Sequence, residues 1–188
     1  MSLTPLTDVS AADWFVDAPA DQWTKICLGP PGYAAYARLH LVPADDEDDD
    51  GDGDIDLTRF TAEALRRILP RYTATPDDCF FGQWEGSGWE PPTPPARQTF
   101  PSAPETPGEL PWRRYHLYSG SLQDSAGWDG GDPAHLMWPA DRAWFVAKDV
   151  DPDWVAVAGS HELIDQILAE PTLAAAPSAY QALDWEQR

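Results

Sequence analysis

Trp138-Pro139-Ala140-Asp141-Arg142-Ala143-Trp144-Phe145-Val146-Ala147-Lys148-Asp149-Val150-Asp151-Pro152-Asp153-Trp154-Val155-Ala156-Val157-Ala158-Gly159-Ser160-His161-Glu162-Leu163 carries two strands, their turn and the start of a helix in one run. Ala143 to Lys148 and Trp154 to Ala158 are short apolar runs with aromatic and β-branched residues, which pack well on a pleated surface. The five residues from Asp149 to Asp153 between them have turn chemistry, so the pair predicts an antiparallel hairpin. Ser160 then stands where a capping hydroxyl is wanted and Glu162 falls in the first turn, where the helix dipole favours negative charge. Leu163, Ile164, Ile167 and Leu168 recur at helical spacing until Pro171, which predicts a helix over 160–169. Strands that follow one another without intervening helices specify an α+β domain with a mostly antiparallel sheet.

Working back from this stretch, His135 to Trp138 reads as a further strand piece, separated from Ala143 to Lys148 by Pro139-Ala140-Asp141-Arg142. Arg113 to Ser119 places Tyr115 and Leu117 on one face and Arg114, His116 and Tyr118 on the other, the two-residue period of a half-buried strand. Cys79 to Trp84 is a compact aromatic strand closed by Gly86-Ser87-Gly88. Near the start, Trp23 to Leu28 and Tyr33 to Val42 read as strands joined through Gly29-Pro30-Pro31-Gly32, a second hairpin. The expected total is about five to seven strands. Two main helices are expected, at about 57–69 and 160–169. A short N-terminal helix would run from a capping Ser10 through Ala11, Trp14 and Phe15 to Pro19. Prolines crowd 89–111, and since each fixes φ and removes a donor, that segment is expected to be an extended surface loop.

At 188 residues and 43% hydrophobic composition the chain has length and material for one domain spanning 1–188. The charge is lopsided: 12 Lys and Arg against 32 Asp and Glu give −20. Nucleic acids and anionic membranes are met by clustered cations that displace counterions, and two lysines with ten scattered arginines do not supply them. No charged segment followed by an apolar one opens the chain, and no apolar run approaches the ~18 residues of a membrane span, so a cytoplasmic location is expected. Cys27 and Cys79 lack CxxC spacing and read as buried free thiols.

Nine of the 32 acids lie between Asp45 and Asp56 without one basic residue, and setting them aside leaves −11 for the rest. Within this run, Asp48 to Arg59 resembles the twelve-residue EF-hand loop and the calcium loop of dockerin modules. Asp48, Asp50 and Asp52 fall on loop positions one, three and five, Gly53 at the sharp turn, the Asp54 carbonyl at seven, Ile55 at eight and Asp56 at nine. The twelfth position, where a bidentate Glu is expected, holds Arg59, whose charge repels the ion, and a strand ending at Pro43 stands where the entering helix belongs. No resident cofactor is therefore expected; weak calcium binding is the alternative, and solvated acids at a helix start are the simpler account of the run.

His40, His116, His135 and His161 are scattered, and no nucleophile elbow, Walker loop or dinucleotide fingerprint is present. Ser160-His161 reads as a helix cap and Asp77-Asp78 after Pro76 as a turn. Ten tryptophans remain as the distinctive feature. Several flank charges, so Trp84, Glu85, Arg114, Trp138, Asp141, Arg142 and Trp144 form a candidate ligand-binding set, against the alternatives that indoles fill the core and that Asp141 and Arg142 hold a turn.

The segments Gly29 to His40, Thr73 to Gly86, Arg113-Arg114-Tyr115 and Trp138 to Ala147 continuing to Gly159-Ser160 resemble a family of uncharacterised actinobacterial proteins over most of the chain from Gly29 to about Leu173. The resemblance implies origin and a cytosolic setting but no activity; the alanine richness and the preference for arginine over lysine fit a GC-rich genome. Other members carry a longer, less acidic insert where this chain has its acidic run. The leading expectation is a non-catalytic, immunity-like or regulatory domain whose acidic surface binds a basic protein partner. The alternatives are a small-molecule binder or hydrolase using the tryptophan set, and a weak calcium module.

Overall fold

In the computed structural model the described residues are 2–41, 53–88, 92–128 and 134–183, with the side chains of 53–59 left aside. The fold is α+β. Among the described residues the sheet contains nine strands, more than the expected five to seven: β1 (Thr4–Pro5), β2 (Ala35–His40), β3 (Cys79–Trp84), β4 (Thr99–Pro101), β5 (Arg114–Gly120), β6 (Leu136–Pro139), β7 (Phe145–Ala147), β8 (Trp154–Gly159) and β9 (Ala175–Ser178). Their order is β1-β5-β3-β6-β7-β8-β2-β9, with β4 alongside β5, and every pairing is antiparallel. The α-helices are α1 (Asp13–Val16), α2 (Gln22–Leu28), α3 (Gly53–Ile68) and α4 (His161–Leu168), with short 3-10 turns at Ser10–Ala12, Leu69–Tyr72 and Leu122–Gly127. No helix among the described residues is long and apolar enough to cross a membrane.

Alternation along the strands sends side chains into two cores, one on each face of the sheet. Val155, Val157, Ala37, Leu39, Val146 and Phe81 face one side, where α3 and α4 supply Leu65, Ile68, Leu163 and Ile167. Phe145, Trp138, Tyr115, Leu117, Ala156 and Ala158 face the other, beneath Phe15, Ile26 and Leu28 of α1 and α2. Covering both faces explains why the strands read as unbroken apolar runs, and it corrects the half-buried reading of 113–119, since Tyr118 is as deeply buried as Tyr115 on the opposite face.

The hairpin read from the opening stretch is present: Phe145, Val146 and Ala147 stand opposite Ala158, Val157 and Ala156. Ser160 caps α4 by accepting the Leu163 N–H at 3.2 Å. The second expected hairpin, near the start of the chain, is not present, because Trp23 to Leu28 lies within α2 and β2 pairs instead with β8 and β9. All six residues from Trp23 to Leu28 are buried, so no polar stripe marks the helical period, and a run this short fits either state. The ends decide: Asp21 accepts the Thr24 N–H at 2.8 Å, and Gly29 closes the helix at φ 86 with its N–H on the Lys25 carbonyl at 2.9 Å. A Cβ at Gly29 would lie 2.6 Å from Phe145 Cδ1. Lys25 is buried with its helix, and its Nζ donates to the Phe15 and Val16 carbonyls at 3.1 and 2.7 Å, closing the C-terminal end of α1.

Three other expectations shift. Ser10 does not cap; the Asp8 carboxylate accepts its N–H instead, at 2.9 Å, and helical structure over Ser10–Val16 begins as a 3-10 turn. α3, the first of the two expected main helices, begins at Gly53, not near 57, and leaves Phe60 exposed instead of facing the core. The proline-rich segment contains a strand, β4, because Pro101 falls at its end where no ladder donor is required, and Phe100 drives it into the core by stacking on Tyr115 at 5.3 Å.

Candidate functional site

An antiparallel sheet brings the starts of some strands beside the ends of their neighbours. One rim therefore gathers Trp84 from the end of β3, Arg113 before β5, His135 before β6, Asp149 after β7 and Trp154 at the start of β8. Arg113 is the centre of this rim. Its Nε and Nη2 form a bidentate pair with Asp149 at 3.0 and 2.9 Å, Nη2 also reaches Asp151 at 3.0 Å, and the guanidinium lies 4.3 Å from the Trp84 ring. The Asp149 side chain is 1% exposed and that of Arg113 15%, so this is an ion pair removed from water, of the kind that fixes geometry. Arg38 lies in the same way over Trp154, at 4.5 Å.

Two titratable groups near this rim, His135 and Cys27, are shifted away from use near neutral pH. Burial, reinforced by the positive charges of Lys148 and Arg113, pushes the His135 imidazole down to about 3. Its Nδ1 accepts the Trp84 N–H at 3.3 Å, beside Gln83 Oε1 at 3.2 Å, so the ring is held as a neutral structural acceptor. Burial, with the carboxylates of Asp149 and Asp151, pushes the Cys27 thiol up against the opposing pull of Arg113 and Arg38. A general base works best near the operating pH and a thiol reacts as its anion, so neither group is set for catalysis. Burial likewise pushes the Cys79 thiol up to about 12, and both cysteines are free and buried.

The ion pair also presents a surface. Trp112, next to Arg113, donates its backbone N–H to Gln22 Oε1 at 2.8 Å, an oxygen that also accepts from Ser102 Oγ at 2.7 Å. The Trp112 ring leans on Trp23 with centroids 6.0 Å apart, yet the residue stays 48% exposed. Val150, between the two aspartates that Arg113 holds, is 53% exposed, and Leu110 is 85% exposed. Three of the four large hydrophobic residues exposed among those described thus lie on two segments, 110–112 and 149–151, that Arg113 ties together.

The residues singled out in the sequence do not come together as a set. Trp84, Glu85 and Arg114 sit at this rim, where the Glu85 N–H donates to the Arg114 carbonyl at 3.0 Å and Arg114 pairs with Glu105 near the surface. Trp138 and Trp144 are both fully buried and point to opposite faces of the sheet, Trp138 among Trp14, Phe80, Phe100 and Phe145. Asp141 and Arg142 lie at the opposite rim. Asp141 accepts from Thr73 Oγ1 at 2.8 Å, the Ala74 N–H at 2.7 Å and the Ala143 N–H at 3.1 Å, which is the turn-holding role. Burial opposes its ionisation, but these hydrogen bonds together hold its carboxyl below the usual range. Arg142, at φ 56, covers the Trp14 ring at 4.8 Å.

Of the metal candidates, Asp48, Asp50 and Asp52 lie outside the described residues, while Asp54 and Asp56 fall in the first turns of α3, whose helical backbone begins at the loop's sixth position. Among the described residues no three His, Cys, Asp or Glu side chains gather into a group able to hold a metal ion. Arg113, Asp149, Gln22 and His135 were not singled out from the sequence, because partners 36, 90 or 52 residues apart leave no local spacing to read. Compared with known proteins, the chain matches no family model, no curated protein and no solved structure.

Proposed function

We propose that the chain is a non-catalytic, acidic interaction domain that binds a basic protein partner, as a toxin-neutralising or regulatory protein does. The observation that carries this reading is that half of its cations are engaged by the chain's own groups while many carboxylates stand at the surface. Of 12 Lys and Arg, Lys25 closes α1, Arg38 and Arg142 lie on indole faces, Arg113 is paired out of water, and Arg67 and Arg114 are paired with carboxylates of the same chain nearer the surface. Asp13, Asp17, Asp21, Asp77 and Asp153 are meanwhile exposed. The charge offered to the surroundings is negative, and a field of one sign speeds encounter with a partner of the other. The same balance disfavours nucleic acids and anionic membranes. The shifts at His135 and Cys27 support binding over catalysis, and the resemblance to uncharacterised actinobacterial proteins adds a bacterial cytosolic setting to the proposal.

The test is retention on the immobilised domain at low and high salt, with every retained protein identified by mass spectrometry. Proteins of net positive charge, released at high salt, are expected. An empty set at low salt, or one without a basic bias, overturns the reading.

A further inference from the structure

We infer that the corner formed by Leu110, Trp112 and Val150 is the contact element of this domain, and that it takes a protein segment in which arginine or lysine side chains flank an apolar one. The inference rests on the interaction reading above and names where and how that partner is held. Exposed apolar side chains scattered singly need no explanation, but three on two segments tied together by one arginine do. Partner-binding energy concentrates on aromatic anchors ringed by polar groups, and half-exposed Trp112 is such an anchor.

Trp112 is also held in place before any partner arrives. Its backbone is pinned to Gln22 at the start of α2, its inner edge rests on Trp23, and the following residue is locked by Asp149 and Asp151. Side chains ordered in advance lose less freedom on binding, so a corner this rigid is suited to contact. Arg113 balances only one of the two carboxylates it holds, and Asp153, Glu109 and Asp21, which precedes Gln22, are exposed on the adjoining segments. Negative charge around an exposed indole favours a guanidinium or ammonium stacked on the ring, while Leu110 and Val150 favour an apolar neighbour.

The experiment uses two twelve-residue fluorescent peptides, one alternating arginine with leucine and one all arginine, titrated at low salt into the full chain and into L110R, W112A and F60R. Leu110 is 85% exposed, so L110R leaves the fold intact, and F60R adds the same charge at a remote residue that is 54% exposed. The expected result is binding of the alternating peptide, weakened about 30-fold in W112A and at least as much in L110R, with little change in F60R. Equal weakening in L110R and F60R, or equal affinity for both peptides, overturns the corner as contact element and leaves the acidic-domain reading standing. Binding of neither peptide overturns both.

Discussion

Replacing Asp149 with alanine removes a carboxylate whose side chain is 1% exposed and which receives two guanidinium hydrogen bonds at 3.0 and 2.9 Å. Taking one partner from a buried ion pair costs about 3–5 kcal/mol, because the remaining charge stays out of water. Here the loss is smaller, since Asp151 stays 3.0 Å from Nη2 and Arg113 is 15% exposed, so about 3 kcal/mol is expected. In a chain of this length that is a fall in melting temperature of some 6–12 °C. Replacing both members, Arg113→Met with Asp149→Leu, leaves no deeply buried charge unpaired, since Asp151 is 35% exposed, and recovers at least half the loss. Urea unfolding followed by tryptophan fluorescence reads both variants. A loss below about 1 kcal/mol in D149A, or a double variant no more stable than the single ones, refutes the claim that this pair clamps the two segments.

His135 ties stability to acidity. Its folded value of about 3 lies below the ordinary imidazole value of ~6.5, so between them the unfolded chain binds a proton that the folded chain does not, and stability falls as pH falls through that window. Between pH 7.5 and 4.5 the wild type should lose about 2–3 kcal/mol more than H135Q in chemical denaturation, and parallel curves would show that the imidazole is protonated when folded. Gly29→Ala places a methyl 2.6 Å from a Phe145 ring stacked between Phe15 and Trp138, at φ 86. The expected cost is about 2–4 kcal/mol by urea unfolding, and a cost under about 1 kcal/mol would mean that the ring yields.

Local chemistry made β3, the β7–β8 hairpin and α4 legible in advance, because an aromatic run, a turn rich in aspartate and a serine cap each act within a few residues. α2 was misread because burial on every side hides its period, and only Asp21 and Gly29 distinguish it from a strand. β9 and β1 were missed because Ala175–Ser178 and Thr4–Pro5 carry no strand signal of their own and form the sheet's edges only by pairing with the outer backbone of β2 and β5. At the site, the tryptophan set offered by the sequence is divided: Trp84 and Arg114 lie at one rim, Asp141 and Arg142 at the other, and Trp138 and Trp144, on either side of a turn, face opposite sides of the sheet, a placement set by strand pairing and residue alternation. The Arg113–Asp149 pair spans 36 residues and is produced by sheet order, which no sequence window contains.

The position of β2 has a consequence for how the chain is made. Ala35–His40 emerges early from the ribosome, yet the strands on both its sides, β8 and β9, begin at Trp154 and Ala175. At about 5–20 residues per second, roughly 6–24 s of synthesis separates β2 from its first partner. During that interval Tyr36, Ala37 and Leu39 have neither a ladder nor a covering strand, so folding of this half of the sheet waits for nearly the whole chain. A slower ribosome, or a translation pause before Trp154, lengthens the exposure of an apolar strand to its neighbours, and the yield of folded protein in a cell becomes sensitive to codon choice over the long segment between them.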